Sequence, residues 1–166
     1  VLWSLPDETL RPVLANWISA LDEKDSSYPH HLAEALWLHQ QRGWINPDLF
    51  RQVATSPDAH ARASAAHLLR FWSDELPGAR NHFLRLASDR QPKVRLETVT
   101  SSTWADPSIA AEVLDIVTEL PQDHYLRFAI ANARKAVAPV LKDHPMVIPA
   151  DRLAALPLSD LSLIHI

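Results

Sequence analysis

A short phrase returns three times in this chain and constrains the fold more than any other feature. It reads Ser56-Pro57-Asp58-Ala59-His60-Ala61-Arg62, then Asp89-Arg90-Gln91-Pro92-Lys93-Val94-Arg95, then Pro121-Gln122-Asp123-His124-Tyr125-Leu126-Arg127. The three arginines are spaced by 33 and 32 residues. Each phrase opens a helix and follows an apolar helical stretch of similar length. A fixed period in this range is the signature of helical repeats, in which one supersecondary unit cannot close a core alone and stacks on its neighbours. The chain is therefore expected to be all-α, an α-solenoid of about four helical hairpins.

Composition agrees with that class. Hydrophobic residues make up 47% of 166, enough for a packed core. There are 2 glycines but 13 prolines, and the prolines fall between helical stretches, where helices start and stop. The net charge of −4 supplies no global field for a phosphate backbone. Cysteine is absent, which removes disulfides, thiol catalysis, Cys-ligated zinc and covalent haem attachment. No apolar run approaches the roughly 18 residues of a membrane span, so no direct membrane insertion is expected.

The helices are legible from starts, stops and periodicity. Pro6-Asp7 begins the first, expected over 7–22, with Leu10, Val13, Leu14, Trp17, Ile18 and Leu21 on one face. The second is expected over 30–42 and ends at Gly43. Asn46-Pro47, Pro57-Asp58, Pro77, Pro92, Asp106-Pro107 and Asp123 begin the third to eighth, and the eighth runs to Val137 or Leu141. Helices three and four, five and six, and seven and eight make three hairpins; helices one and two make a less regular fourth. Residues 1–28 form an N-terminal helix and loop, 29–144 the repeats, and 145–160 a C-terminal extension with a short helical turn at Asp151 to Leu156. Leu161-Ser162-Leu163-Ile164-His165-Ile166 resembles the in-frame translation of a transposon end used to build sequencing libraries. It is expected not to be native, and the chain is expected to be a piece of a longer protein.

The middle repeat departs from its neighbours. Helix six carries Thr98, Ser101 and Ser102 where helix four carries Ala65, Leu68 and Leu69. A buried hydroxyl without a partner costs about 1–3 kcal/mol. Back-bonding to a carbonyl one turn earlier relieves this. Looser packing is expected at helix six.

Candidate site residues are few. Asp58, Arg62, Asp89, Arg95, Asp123 and Arg127 form a repeating acid–arginine ladder. Asp58 with Arg62, and Asp123 with Arg127, stand at i, i+4, where an ion pair can form near the positive end of the helix dipole. Asp89 and Arg95 are six apart, so Asp89 is expected to cap. The expected role is structural, orienting the hairpins; the alternative is an arginine row for an anion or an acidic partner.

Nine histidines include His31 with His39 and His60 with His67, at spacings that share a helix face, but no HExxH-type motif accompanies them. No metal site is expected. Six tryptophans, at 3, 17, 37, 44, 72 and 104, are expected to pack between repeats, with an aromatic docking surface as the alternative. Arg80, Arg85, Arg90, Lys93 and Arg95 are the densest basic stretch, interrupted by Asp89 and Glu97, so nucleic acid is not the expected partner. No nucleophile motif such as GxSxG occurs.

The phrases with Asp, Pro and then Val-Arg resemble HEAT repeats. A narrower resemblance covers about residues 30 to 141. It is carried by Glu34-Ala35-Leu36-Trp37-Leu38-His39-Gln40-Gln41, Leu68-Leu69-Arg70-Phe71-Trp72, Pro92-Lys93-Val94-Arg95-Leu96-Glu97 and Asp123-His124-Tyr125-Leu126. These phrases, in this order, are similar to the HEAT-repeat region of bacterial membrane-bound dehydrogenases of the haem-binding CxxCH type. In that family a sorbosone-dehydrogenase-like β-propeller precedes the repeats and a cytochrome c domain follows them. The resemblance implies a non-catalytic connector in an exported, periplasmic protein. No CxxCH stands in this chain, so no haem-binding residue carries over and no cofactor is implied here. The expected partners are neighbouring domains of the same chain or another protein. The alternatives are a free-standing protein-interaction adaptor and a DNA-binding HEAT-like protein.

Overall fold

A computed structural model describes residues 5–143, with side chains to 140. Among the described residues the chain is all-α, with eight helices and no strand. The helices are α1 (Asp7–Ser19), α2 (Tyr28–Gln41), α3 (Pro47–Ala54), α4 (Ala59–Trp72), α5 (Ala79–Ala87), α6 (Pro92–Ser102), α7 (Pro107–Thr118) and α8 (His124–Asp143). None is long and apolar enough to cross a membrane. The expected C-terminal turn at 151–156 and the adapter-like 161–166 lie outside the described residues.

Local chemistry sets the boundaries. Pro47, Pro92 and Pro107 occupy first-turn positions, where their fixed φ suits the helix and the missing N–H leaves no bond unmade. Asn46, Asp58 and Asp123 each accept a backbone N–H from three residues on, at 3.1, 2.8 and 2.7 Å, satisfying a donor the helix cannot. Helix α2 ends as its glycine requires. Gly43 takes φ 66°, its N–H donates to Gln40, and the Trp44 N–H donates to His39, a Schellman closure. Pro77 does not itself begin α5; Gly78 at φ 72° intervenes and turns the chain into it.

Successive hairpins lean on one another. The even-numbered helices make a continuous row, α2 on α4, α4 on α6 and α6 on α8, while α5 packs on α7. Each hairpin also packs internally, α3 on α4, α5 on α6 and α7 on α8. One core runs through the stack. Phe50, Leu68, Leu69, Phe83, Leu86, Val94, Val99, Val113 and Leu126 are all fully buried in it.

Helix α6 is not the loose layer its hydroxyls imply. Its contact with α4 is the most extensive in the fold. Thr98, Ser101 and Ser102 are completely buried. Thr98 donates to the Val94 carbonyl at 2.8 Å and Ser102 to Val99 at 2.8 Å. Ser101 donates across the interface to the His67 carbonyl of α4 at 3.2 Å. Ala61, Ala63, Ala65 and Ala66 of α4 are all buried, and Ala63 and Ala66 share the face of His67 that meets α6. Small side chains on both helices let a serine on one reach the backbone of the other, and no hydroxyl is left unpaired.

Candidate functional site

The arginine ladder recurs from hairpin to hairpin, and two of its three members tie their own inter-helix turn to the following one. Arg62, at the start of α4, donates Nε to Asp89 Oδ2 at 2.6 Å and Nη2 to Asp89 Oδ1 at 3.0 Å. Its Nη1 donates to the carbonyls of Ser56 and Pro57, both at 2.9 Å. One guanidinium thus ties its own inter-helix turn to the next one. The pair is nearly dry, with side chains 9% and 10% exposed. Arg95 repeats the pattern with backbone acceptors: Nη1 meets the Asp89 carbonyl at 2.6 Å and Nη2 the Pro121 carbonyl. Arg127 donates Nη1 to the Gln122 carbonyl at 3.2 Å and is exposed.

The i, i+4 pairing expected for Asp58 with Arg62 and Asp123 with Arg127 is not made. Both carboxylates turn to their own helix termini as caps, which frees the arginines to reach across. Asp89 does not cap α6. It accepts the Gln91 N–H at 2.8 Å in a turn and offers both oxygens to Arg62. Burial pushes the Asp89 carboxyl upward, but the bonds from Arg62 and Gln91, with the positive charge of Arg62 and Arg90, outweigh this and hold it below its usual range.

The basic stretch is largely consumed by the fold. Arg80 pairs with Glu112 of α7, and Arg85 donates to the Ala54 carbonyl at 2.7 Å, at the C-terminus of α3. Arg95 is buried and Lys93 meets His60 of α4 at 3.1 Å.

The histidines serve the interfaces. His67 Nδ1 lies 3.0 Å from Glu97 of α6, beside Arg70 and the ring of Trp37. Glu97 thus has a specific role that the sequence showed only as a break in a charge run. His39 Nδ1 faces the Ala35 carbonyl at 2.8 Å, and its Nε2 lies 3.3 Å from the Asn46 amide. A carbonyl only accepts, so Nδ1 carries the proton and Nε2 receives the amide N–H. That is a neutral ring linking α2 to the capped start of α3. No group of three or more His, Cys, Asp or Glu able to hold a metal occurs among the described residues.

Burial holds the His82 imidazole below its ordinary 6.5, helped by Arg85 and Arg51, in edge contact with Phe50 at 4.9 Å. Burial, with Arg11, also lowers His39, against the backbone bond to Ala35. Both groups bind protons more readily when unfolded. Their stabilisation is therefore complete above about pH 6.5 and is lost as pH falls through their depressed folded values. Urea titrations between about pH 7.5 and pH 5 are expected to show falling stability. A His82→Asn variant is expected to flatten that slope, and an unchanged slope would contradict the assignment.

Trp3 lies outside the described residues; of the other five tryptophans, three behave as expected of packing residues and two do not. Trp44 and Trp72 are buried and Trp37 half-buried, but Trp104 is 70% and Trp17 40% exposed. Trp17 belongs to a groove that the sequence read as core. Asp7 receives Arg42 at 3.2 Å and the Trp44 indole N–H at 3.0 Å, which pins the start of α1. Farther along, Leu10 and Leu14 are buried but Val13 is 51% exposed. The gap between α1 and α2 is an apolar groove of about 440 Å³. Its α2 wall, Glu34, Trp37, Leu38 and Gln41, lies opposite the face that buries Leu32 and Leu36.

No family model, curated protein or solved structure matches this chain.

Proposed function

We propose that the chain is a non-catalytic HEAT-like solenoid of about four hairpins, a scaffold rather than an enzyme. The observation that carries this reading is the inter-repeat rung. Arg62 and Arg95, 33 residues apart, each bind their own inter-helix turn and the following one. A chemical site has no need of such periodicity, whereas a stiff array needs each unit held at a fixed angle to the next. The contact row of even helices supports the same reading.

The resemblance to the repeat region of CxxCH-type dehydrogenases makes the module a connector. It would hold an oxidising propeller near its electron acceptor in an exported protein, with no cofactor of its own. Sequencing the genomic locus around the coding segment tests this. The expected result is propeller-type repeats upstream and a CxxCH motif downstream; a locus with neither would remove the connector reading.

The second reading is a free-standing adaptor, and the α1–α2 groove favours it. Its apolar lining and open mouth suit an amphipathic helix. The DNA-binding alternative loses support, because Arg80, Arg85 and Arg95 are already engaged within the fold.

A further inference from the structure

We propose that the protein associates head to tail with further copies of itself, the open face of α8 in one copy receiving the α1–α2 edge of the next. This rests on the repeat reading above and names the partner of the two open edges.

The repeat register identifies the face. Positions 60, 63 and 67 of α4 correspond to 125, 128 and 132 of α8 through the arginine spacing of 33 and 32 residues. In α4 these positions meet the next even helix. His60 meets Lys93, Ala63 is 3% exposed, and His67 meets Glu97 and receives Ser101 at its carbonyl. In α8 the same positions carry Tyr125 and Phe128, 73% and 69% exposed. Ala136 and Val140 continue the stripe along the helix, both exposed. His60 stays exposed even within the filled α4–α6 contact, whereas Ala63 is covered there, so Phe128 is the ring that marks an unfilled interface.

The ladder supplies the polar half of the match. Arg127 is the equivalent of Arg62, and among the described residues it meets no carboxylate. Asp25 is the equivalent of Asp89. Each stands three residues before an even helix, and each accepts the backbone N–H two residues on at 2.8 Å. Asp89 holds Arg62, whereas Asp25 is exposed and has no basic partner among the described residues. Arg127 of one copy and Asp25 of the next are the two halves of one more rung.

Charge and shape agree. Residues 7–42 carry six carboxylates against Arg11, Lys24 and Arg42, while 123–140 carry Arg127, Arg134 and Lys135 against the capping Asp123 alone. Stacked in register, α8 of one copy lies against α2 of the next. The α1–α2 groove, walled by Val13, Trp17 and Leu38, is the apolar surface that this edge offers to the aromatic stripe. The two surfaces differ, so the contact is heterologous and does not close by itself; it grows with concentration into short open chains.

Sedimentation velocity on the whole protein, from about 5 to about 200 μM, the span of a micromolar contact, tests this. The sedimentation coefficient of the wild type is expected to rise with concentration and to fall back with added salt. Arg127→Glu and Asp25→Arg are each expected to remain monomeric, because each sets like charges against each other. Their equimolar mixture is expected to associate again, since Glu at 127 then faces Arg at 25. A wild type that stays monomeric throughout, or an Arg127→Glu variant that associates as well as wild type, would overturn the proposal. Thermal unfolding of Arg62→Ala separates this from the underlying reading. An unaffected Arg62→Ala protein removes the repeat rung itself, whereas a destabilised one beside a monomeric wild type removes only the self-association.

Discussion

Replacing Arg62 with alanine is expected to cost about 3–5 kcal/mol of stability, the range for breaking a buried, hydrogen-bonded ion pair by removing one partner. The figure rests on what is left behind. Asp89 is 10% exposed at its side chain and loses both guanidinium bonds at once, while the Ser56 and Pro57 carbonyls lose their shared donor. Asp89→Asn is expected to cost less, because the amide still offers one acceptor and the guanidinium of Arg62 keeps its bonds to the Ser56 and Pro57 carbonyls. Lysine at 62 is not a conservative replacement, since a single ammonium cannot span two carboxylate oxygens and two carbonyls in a plane.

The same pair sets an acid limit. Asp89 binds its proton more weakly in the fold than in the unfolded chain. Its contribution is therefore present above the unfolded carboxyl value near 3.8 and is lost as pH falls through the lower folded one. Urea midpoints of wild type and Asp89→Asn, measured between about pH 5 and pH 2, are expected to converge in the acid range. A constant gap between them would show that the carboxylate is not what stabilises this turn.

The second large effect is expected at Phe50. Phe50→Ala should cost about 3–5 kcal/mol, from the lost transfer energy and the cavity that remains. Phe50 is completely buried on α3 and its ring meets Trp72 of the same hairpin at 6.2 Å and His82 of the next at 4.9 Å. Alanine there unpacks two layers rather than one. Calorimetry gives the loss directly. A shift in unfolding temperature no larger than that of a surface alanine would mean that the hairpins do not share a core. Phe50→Leu is expected to recover most of the loss, since volume rather than aromaticity fills the space.

Much of this fold is written locally. Asn46-Pro47, Pro57-Asp58 and Asp106-Pro107 mark helix starts that the structure places within one or two residues, and Gly43 ends α2 as a left-handed closure must. Such signals are readable because a cap or a fixed φ acts over three or four residues. Side-chain destinations are another matter. Local spacing offers Arg62 to Asp58, but Asp58 satisfies its own helix terminus and Arg62 turns to an acid 27 residues away. Val13 and Trp17 share a stripe with Leu10 and Leu14, yet only the last two are covered, because α1 meets α2 over part of its length. The hydroxyls of α6 look like flaws in a repeat until α4 comes close enough for Ser101 to reach a carbonyl on it.

The amino-acid order alone thus determined that the chain is all-α and where its helices start and stop. These depend on contacts within a turn or two of the chain. Only the tertiary structure decided which arginine holds which turn, which aromatic rings stay in water, and where an apolar groove remains open. Those outcomes depend on groups about 30 residues apart competing for the same partner, and a linear pattern carries no measure of that distance.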